Sequence, residues 1–305
     1  MTGRIARPGP GRTPPAELPI SEALVRGLLT DQHPDLADLP LAPAVEGWDN
    51  QVWRLGQDLA VRLPRRAQAA PLLVTEQRWL PVLAPRLPVP VPAPVRVGVP
   101  GRGYPWPWSV VPWLTGRRAS TDLDPTGRAL LPGLVELVVA LHRPAGPGVP
   151  TNPFRGGPLA TRDEVVRRRL EDVAFAYPGG SEPLLAVWEG ALAAEPWSGP
   201  PRWLHGDLHP GNLLVGPGGA LAGVLDFGDM TAGDPATDLA VAWMIFDAPT
   251  RAEFAGRLRA GGHLDEATWR RARGWALAFG LLLAGLGDDA EYAAVGHRTL
   301  AGLLR

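Results

Sequence analysis

Three oxygen-bearing side chains, Asp207, Asn212 and Asp226, stand close together along the chain. They fall in Leu204-His-Gly-Asp-Leu-His-Pro-Gly-Asn-Leu-Leu-Val215 and Gly223-Val-Leu-Asp-Phe-Gly-Asp229. Asp207 occupies a loop containing Gly and Pro, five residues before Asn212. A carboxylate and an amide oxygen form a hard donor set suited to Mg²⁺, which keeps water and substrate phosphate as its remaining ligands. An aspartate projecting beside that cation can accept the proton of an attacking hydroxyl. Together these are the parts that phosphoryl transfer requires.

Positioning them takes a hairpin. Leu213–Val215 and Leu221–Leu225 read as apolar strands joined by a turn at Gly216–Gly219, so Asn212 at one strand start converges with Asp226 at the other strand end. Upstream, 51–55 and 59–63 flank a Gly56-Gln57-Asp58 turn and read as a second hairpin. Its second arm puts Leu59, Val61 and Leu63 on one face, and Ala60 and Arg62 on the other. The segment Glu46–Asn50 before it reads as a short loop over a ligand. Pro71–Leu83 reads as a helix with Leu72, Trp79, Leu80 and Leu83 as its apolar stripe. Glu76 falls inside that stripe, which is costly unless a cation faces it. Pro81 is expected to kink or end this helix.

Ile20–Leu29 reads as a helix capped by Ser21, and Pro88–Pro94 as an extended lead into a strand at Trp106–Val111. From Pro112 the pattern turns helical: Arg128–His142, Arg162–Phe175, Ala236–Phe246, Ala252–Ala260, Glu266–Leu286 and Ala290–Leu304, with a strand-rich block from Trp203 to Asp226 among them. The expected plan is an α+β, bilobal architecture. A tail (1–15) precedes a small antiparallel-sheet lobe (16–113) and a larger, mainly helical lobe (114–305).

Composition narrows the chemistry. The 30 basic side chains are all arginine, and cysteine is absent. That excludes Schiff-base or Walker-type lysine and thiolate chemistry. A net charge of −1 gives no general pull toward nucleic acid or acidic membrane. Met1–Pro15 lacks the apolar core of a secretory signal, and Trp275–Leu286 is too short to cross a bilayer. The expectation is a cytoplasmic monomer or homodimer acting on a small molecule.

Asp207, four intervening residues, Asn212 and a later Asp226-Phe-Gly reproduce the kinase catalytic spacing. In the form His-Gly-Asp-Leu-His-Pro-Gly-Asn, followed by Gly233-Asp-Pro-Ala-Thr-Asp-Leu239, the sequence resembles the aminoglycoside phosphotransferase family of kinase-like small-molecule phosphotransferases. The resemblance is most specific over 203–240 and extends more weakly over 47–116. It implies a kinase-like fold, ATP or GTP with Mg²⁺, and transfer to a hydroxyl. Asp207 is then the base, and Asn212 and Asp226 the Mg²⁺ ligands. His205, Asp234 and Asp238 support the site. The crossing at Pro112-Trp113-Leu114 becomes the hinge for the nucleotide base, the Pro112 carbonyl and Leu114 N–H facing it. Arg62 stands where the family carries a phosphate-clamping lysine, with Glu76 as its partner, and the glycine-rich loop is reduced to Gly47. The acceptor this implies is an aminoglycoside or other antibiotic such as a macrolide. A choline-, homoserine- or sugar-type metabolite, and a pseudokinase without turnover, are the alternatives.

Other residues read more plainly. His209, before Pro210, shapes its loop; His142 is a helix cap or core residue; Arg167–Arg169 is a solvated face; and the tryptophans pack. The cluster Asp288, Asp289 and Glu291 either lines a cationic-substrate pocket or is a solvated helix start.

Overall fold

A computed structural model of the chain describes residues 14–121, 124, 126–173, 180–287 and 289–305. The expected tail lies outside these, except for Pro14, which is buried, and Pro15. The chain enters through helix α1 (Glu22–Gln32), which Ser21 caps by accepting the Leu24 N–H. Five strands then form an antiparallel sheet in the order β1-β2-β3-β5-β4. They are β1 (Leu41–Glu46), β2 (Asn50–Leu55), β3 (Leu59–Pro64), β4 (Arg96–Gly98) and β5 (Trp108–Pro112). The register Leu55↔Leu59 closes the expected hairpin at Gly56, whose φ of +60° suits glycine. Alternation along β3 sends Val61 and Leu63 into a core with Val25, Leu28 and Leu29 of α1, and turns Ala60 and Arg62 the other way.

Helix α2 (Ala70–Leu83) carries Glu76 on its buried face, as the pattern implies, but two details differ. Leu73 rather than Leu72 completes the stripe; Leu72 lies at the edge of the cleft beside Gly228. Pro81 does not end the helix, which runs on to Leu83. Near a C-terminus a proline removes only one ladder bond, and Ala84 N–H still reaches the Leu80 carbonyl. Leu80 and Leu83 belong to the second, larger core.

Past β5 come β6 (Arg117–Arg118), α3 (Leu131–Leu141), α4 (Asp163–Val173), α5 (Glu182–Leu192), β7 (Arg202–Leu204), β8 (Leu213–Val215), β9 (Leu221–Val224) and β10 (Thr231–Gly233). The chain closes with α6 (Ala236–Leu239), α7 (Val241–Ile245), α8 (Ala248–Ala260), α9 (Glu266–Ala284) and α10 (Ala290–Leu303). β8 and β9 pair as expected, Leu213 opposite Val224, and β6 adds on the far side of β8. The helix expected over 236–246 is broken at Ala240 into α6 and α7. The apolar run of α9 is buried in the larger core, and α10 packs against it at Gly296, where a Cβ would meet the Ala284 backbone at 2.1 Å. Among the described residues no helix is long and apolar enough to cross a membrane. The whole is a mixed α/β, kinase-like fold, with a small antiparallel sheet and a larger helical region.

Candidate active site

Two adjoining cavities gather most of the residues singled out above, while Glu76, His205, Asp234 and Asp238 line neither. The first, about 300 Å³, is bounded by Gly47, Arg62, Pro112, Leu114, Asn212 and Asp226. The second, about 420 Å³, is bounded by Asp207, His209, Asn212, Asp226 and Asp229, with Arg155 at its side. Asn212 and Asp226 therefore line both. Asn212 sits in the 3-10 turn Pro210–Asn212, at the mouth of β8, and its Nδ2 donates to the Asp207 carbonyl at 3.0 Å. That bond leaves the amide oxygen, which has no donor among the described residues, available as an acceptor. Asp226 follows β9 with φ +57°, a left-handed conformation that an aspartate tolerates. About half of its side chain (53%) is exposed. An exposed carboxylate beside an unengaged amide oxygen suits a hard divalent cation.

Arg62 is buried at the floor of the first cavity. Its Nη1 lies 2.8 Å from Glu76 Oε2 and its Nη2 3.9 Å from Asp226 Oδ1. Burial works against the guanidinium charge, but Glu76 and Asp226 overcome it and raise the Arg62 pKa. Burial pushes Glu76 upward, with Arg62 opposing. The Trp113 N–H is committed to the Asp58 carbonyl at 2.7 Å, which fixes the crossing against the β2–β3 turn. Trp113 also lines the cavity, with the Arg54 guanidinium 4.2 Å from its ring, so this tryptophan does more than pack.

The loop 46–50 covers the cavity without a glycine-rich sequence. The Gly47 N–H is spent on the Asn50 carbonyl at 2.9 Å, so the loop is held from below by arginines instead. Arg65 donates to the Gly47 carbonyl at 2.8 Å and pairs with Glu46, while Arg66 reaches Asp49 at 2.5 Å. Burial raises the Asp49 carboxyl, and Asp226 adds to that rise.

Asp207 is gripped at both oxygens. Arg155 Nη2 lies 3.1 Å from Oδ1, and His209 Nε2 lies 3.3 Å from Oδ2. The His209 Nδ1 accepts the Gly211 N–H at 3.0 Å, so Nε2 carries the hydrogen turned to Asp207. Burial alone would raise Asp207. His209, Arg155 and His205 outweigh it and hold the carboxyl well below the usual range. With 24% of the side chain exposed, solvent moderates that pull. His209, expected only to shape a loop, thus also touches the candidate base.

The supporting residues converge beneath this loop. Asp238 accepts the N–H groups of His205 (2.8 Å) and Gly206 (2.9 Å) and faces His142 Nε2 at 3.1 Å. His205 Nδ1 accepts the Asp207 N–H at 3.2 Å, while Nε2 meets the Leu225 carbonyl at 2.9 Å, tying the loop to the end of β9. Asp234 stands farther off and pairs with buried Arg271 at 2.7 Å. His142 is both a buried residue and the C-cap of α3.

Arg155 and Asp229 escaped the sequence reading. Asp229 accepts from Asn152 Nδ2 at 2.6 Å, and burial and Asp207 raise its carboxyl. The one signal for Arg155 was that no acidic residue lies between Glu136 and Asp163 to pair with it locally, and Asp229 carried none. Asp288 lies outside the described residues; Asp289 caps α10, and Glu291 accepts from Ser120. Contrary to the expectation from the sequence, Arg167–Arg169 is not one solvated face. Arg167 pairs with Asp163 and Arg168 is exposed, but Arg169 is half-buried in a third cavity.

Comparison with known proteins agrees with this fold. The GDP and kanamycin complex of APH(2")-IIIa matches with TM-score 0.66 and 21% identity, over 91% of this chain and 97% of that one. The GDP complex of wild-type aminoglycoside 2'-phosphotransferase-IIIa gives TM-score 0.68 and 20% identity, covering 93% and 99%. The macrolide 2'-phosphotransferase MphH apoenzyme from Brachybacterium faecium gives 0.59 and 24%, covering 86% and 93%. No curated protein sequence matches the chain. The pattern described as the phosphotransferase enzyme family matches residues 40–275, from the β1 edge into the middle of α9. That span holds Arg62, Glu76, Asp207, Asn212 and Asp226 alike, and the chain belongs to the phosphotransferase enzyme family.

Proposed function

We propose that the protein transfers the γ-phosphate of ATP or GTP to a hydroxyl of a small molecule. The observation that carries this reading is that Asn212 and Asp226 line both cavities. A phosphate chain entering from the first would end at their boundary, facing Asp207 in the second. The structural neighbours include complexes with GDP, ADP and ATP, which supports a nucleotide in the first cavity. There the Pro112 carbonyl and Leu114 N–H would meet the base, and Arg62, held by Glu76, would clamp phosphate oxygens through its planar fork. Asn212 and Asp226 would hold Mg²⁺, which supplies charge neutralisation at the phosphates when bound.

In the second cavity Asp207 orients the acceptor hydroxyl. Its oxygen attacks the γ-phosphorus, the bond from that phosphorus to the β–γ bridging oxygen breaks, and the electron pair leaves with the nucleoside diphosphate. The hydroxyl proton passes to Asp207. A carboxylate stabilised as strongly as this one is a weak base, so the proton moves late, once the new O–P bond has made it acidic. That order suits a loose phosphoryl-transfer transition state.

The test is nucleotide consumption across a panel of hydroxyl compounds, with Asp207→Ala as control. We expect turnover to fall by roughly 10²–10⁴ in the variant while nucleotide still binds. Unchanged turnover would remove Asp207 from the mechanism.

A further inference from the structure

A third cavity, about 440 Å³, opens beside the catalytic cleft and shares Arg155, Asp229, Phe279 and Leu282 with it. Its charged lining is three arginines, Arg155, Arg162 and Arg169, against the single carboxylate Asp229. Asp229 already accepts from Asn152. Among the described residues no carboxylate forms an ion pair with Arg162 or Arg169. The Nε atoms of Arg155 and Arg162 are buried with no hydrogen-bond partner there. Aromatic rings fix two of the guanidiniums in place: Arg155 lies 4.7 Å from the Phe279 ring centre and Arg162 5.4 Å from that of Phe154. Trp275, Val165 and Val166 supply an apolar wall.

Like charges collected in a half-buried site are unfavourable unless something of opposite sign joins them. Burial and Arg155 lower Arg162; burial, Arg168, Arg155 and Arg162 lower Arg169, against a smaller opposing influence of Asp172. A polycation would add to this repulsion, whereas an anionic group with two or more oxygens would relieve it through bidentate contacts to guanidinium forks.

We infer that the acceptor is anionic: a hydroxyl compound whose carboxylate or phosphate is held by Arg162 and Arg169, with Arg155 between that group and the hydroxyl at Asp207. This rests on the phosphotransferase reading for the fate of the hydroxyl, but not for the binding of the anion.

The experiment uses ω-hydroxyalkanoates of graded length, their methyl esters, the matching ω-hydroxyalkyl phosphates and amino alcohols, and kanamycin. Binding is followed by calorimetry and transfer by nucleotide consumption, in the wild type and in Arg162→Gln/Arg169→Gln. Acids or phosphates should bind and the esters and amino alcohols should not. The double variant should raise KM for the anionic acceptors at least tenfold with little change in kcat, while unchanged nucleotide affinity reports an intact fold. The better of the two anionic series identifies the group. If no anion binds, or if binding is unchanged in the double variant, the inference is overturned. Transfer to kanamycin with the same kcat/KM in both proteins also overturns it and leaves the phosphotransferase reading standing. Arginine-dependent anion binding without any transfer supports the anion site and removes the phosphotransferase reading.

Discussion

At Arg62 one guanidinium meets two carboxylates, Glu76 at 2.8 Å and Asp226 at 3.9 Å. A lysine ammonium on its flexible stem can satisfy either, but has no fork to span both. Arg62→Lys is therefore expected to lower turnover about tenfold or more, the scale of one lost charge-assisted hydrogen bond. Steady-state kinetics with the nucleotide varied would check this, and retention of most activity would reduce Arg62 to a simple cation. Asp207 carries a second prediction. Because His209 and Arg155 keep its carboxyl below the ordinary range after opposing burial, it stays ionised well into acid. Whatever stability that ionised form lends the fold is present above the unfolded carboxylate value, about 3.9, and is lost only as pH falls through the lower folded one. In His209→Ala the donor at Oδ2 is gone, so the acid limb of kcat/KM should move to higher pH. A limb that stays in place would show that His209 does not stabilise the Asp207 charge. Asp207, Asn212 and Asp226 were legible because their spacing is set by one loop and one hairpin. Glu76 was legible because a carboxylate inside an apolar stripe demands a partner. Arg155 and Asp229 were not, since each is defined by partners far away in sequence: Arg155 by Asp207, Asp229 by Asn152.

The elements divide along similar lines. Segments with a clear period, such as the β2–β3 and β8–β9 hairpins and helices α2, α9 and α10, stand where periodicity puts them. β1 was missed because Pro43 interrupts its pattern; it survives as an edge strand with a register shift between Pro43 and Val45. β6 is two arginines long and exists only because β8 offers an edge. The covering loop shows how far local reading reaches. Its turn chemistry was visible in Glu46–Asn50, and so was its reduction to the single glycine Gly47. The actual hold comes from Arg65 and Arg66 just past β3, brought beneath the loop only when β2 pairs with β3. A similar distance effect turns Arg169 from a surface residue into part of a cavity wall. It lies on α4, one turn from Val165 and Val166 of the same lining.

For the molecule as a whole, composition settled little beyond the exclusions, because a net charge of −1 averages away every local field. The arginine-rich third cavity and the carboxylate-rich catalytic cleft cancel in that sum. What the fold adds is two separate apolar cores, one around β3 and α1 and the other around α9 and the β8–β9 hairpin. The first cavity draws its walls from both sides: Val52, Ala60 and Val111 on the sheet, Asn212, Leu214 and Leu225 on the hairpin. A nucleotide bound there gains its full set of contacts only when both sides are folded, so binding should stabilise the whole. Such linkage amounts to about 2.7 kcal/mol at a ligand concentration of 100 Kd. Thermal unfolding with ATP or GTP and Mg²⁺ should accordingly show a raised midpoint. A chelator should remove much of that rise, and Asp226→Asn should blunt the Mg²⁺-dependent part more than the part due to nucleotide alone. A midpoint shift indifferent to both the chelator and the variant would mean that Asn212 and Asp226 line the cavity without holding a cation.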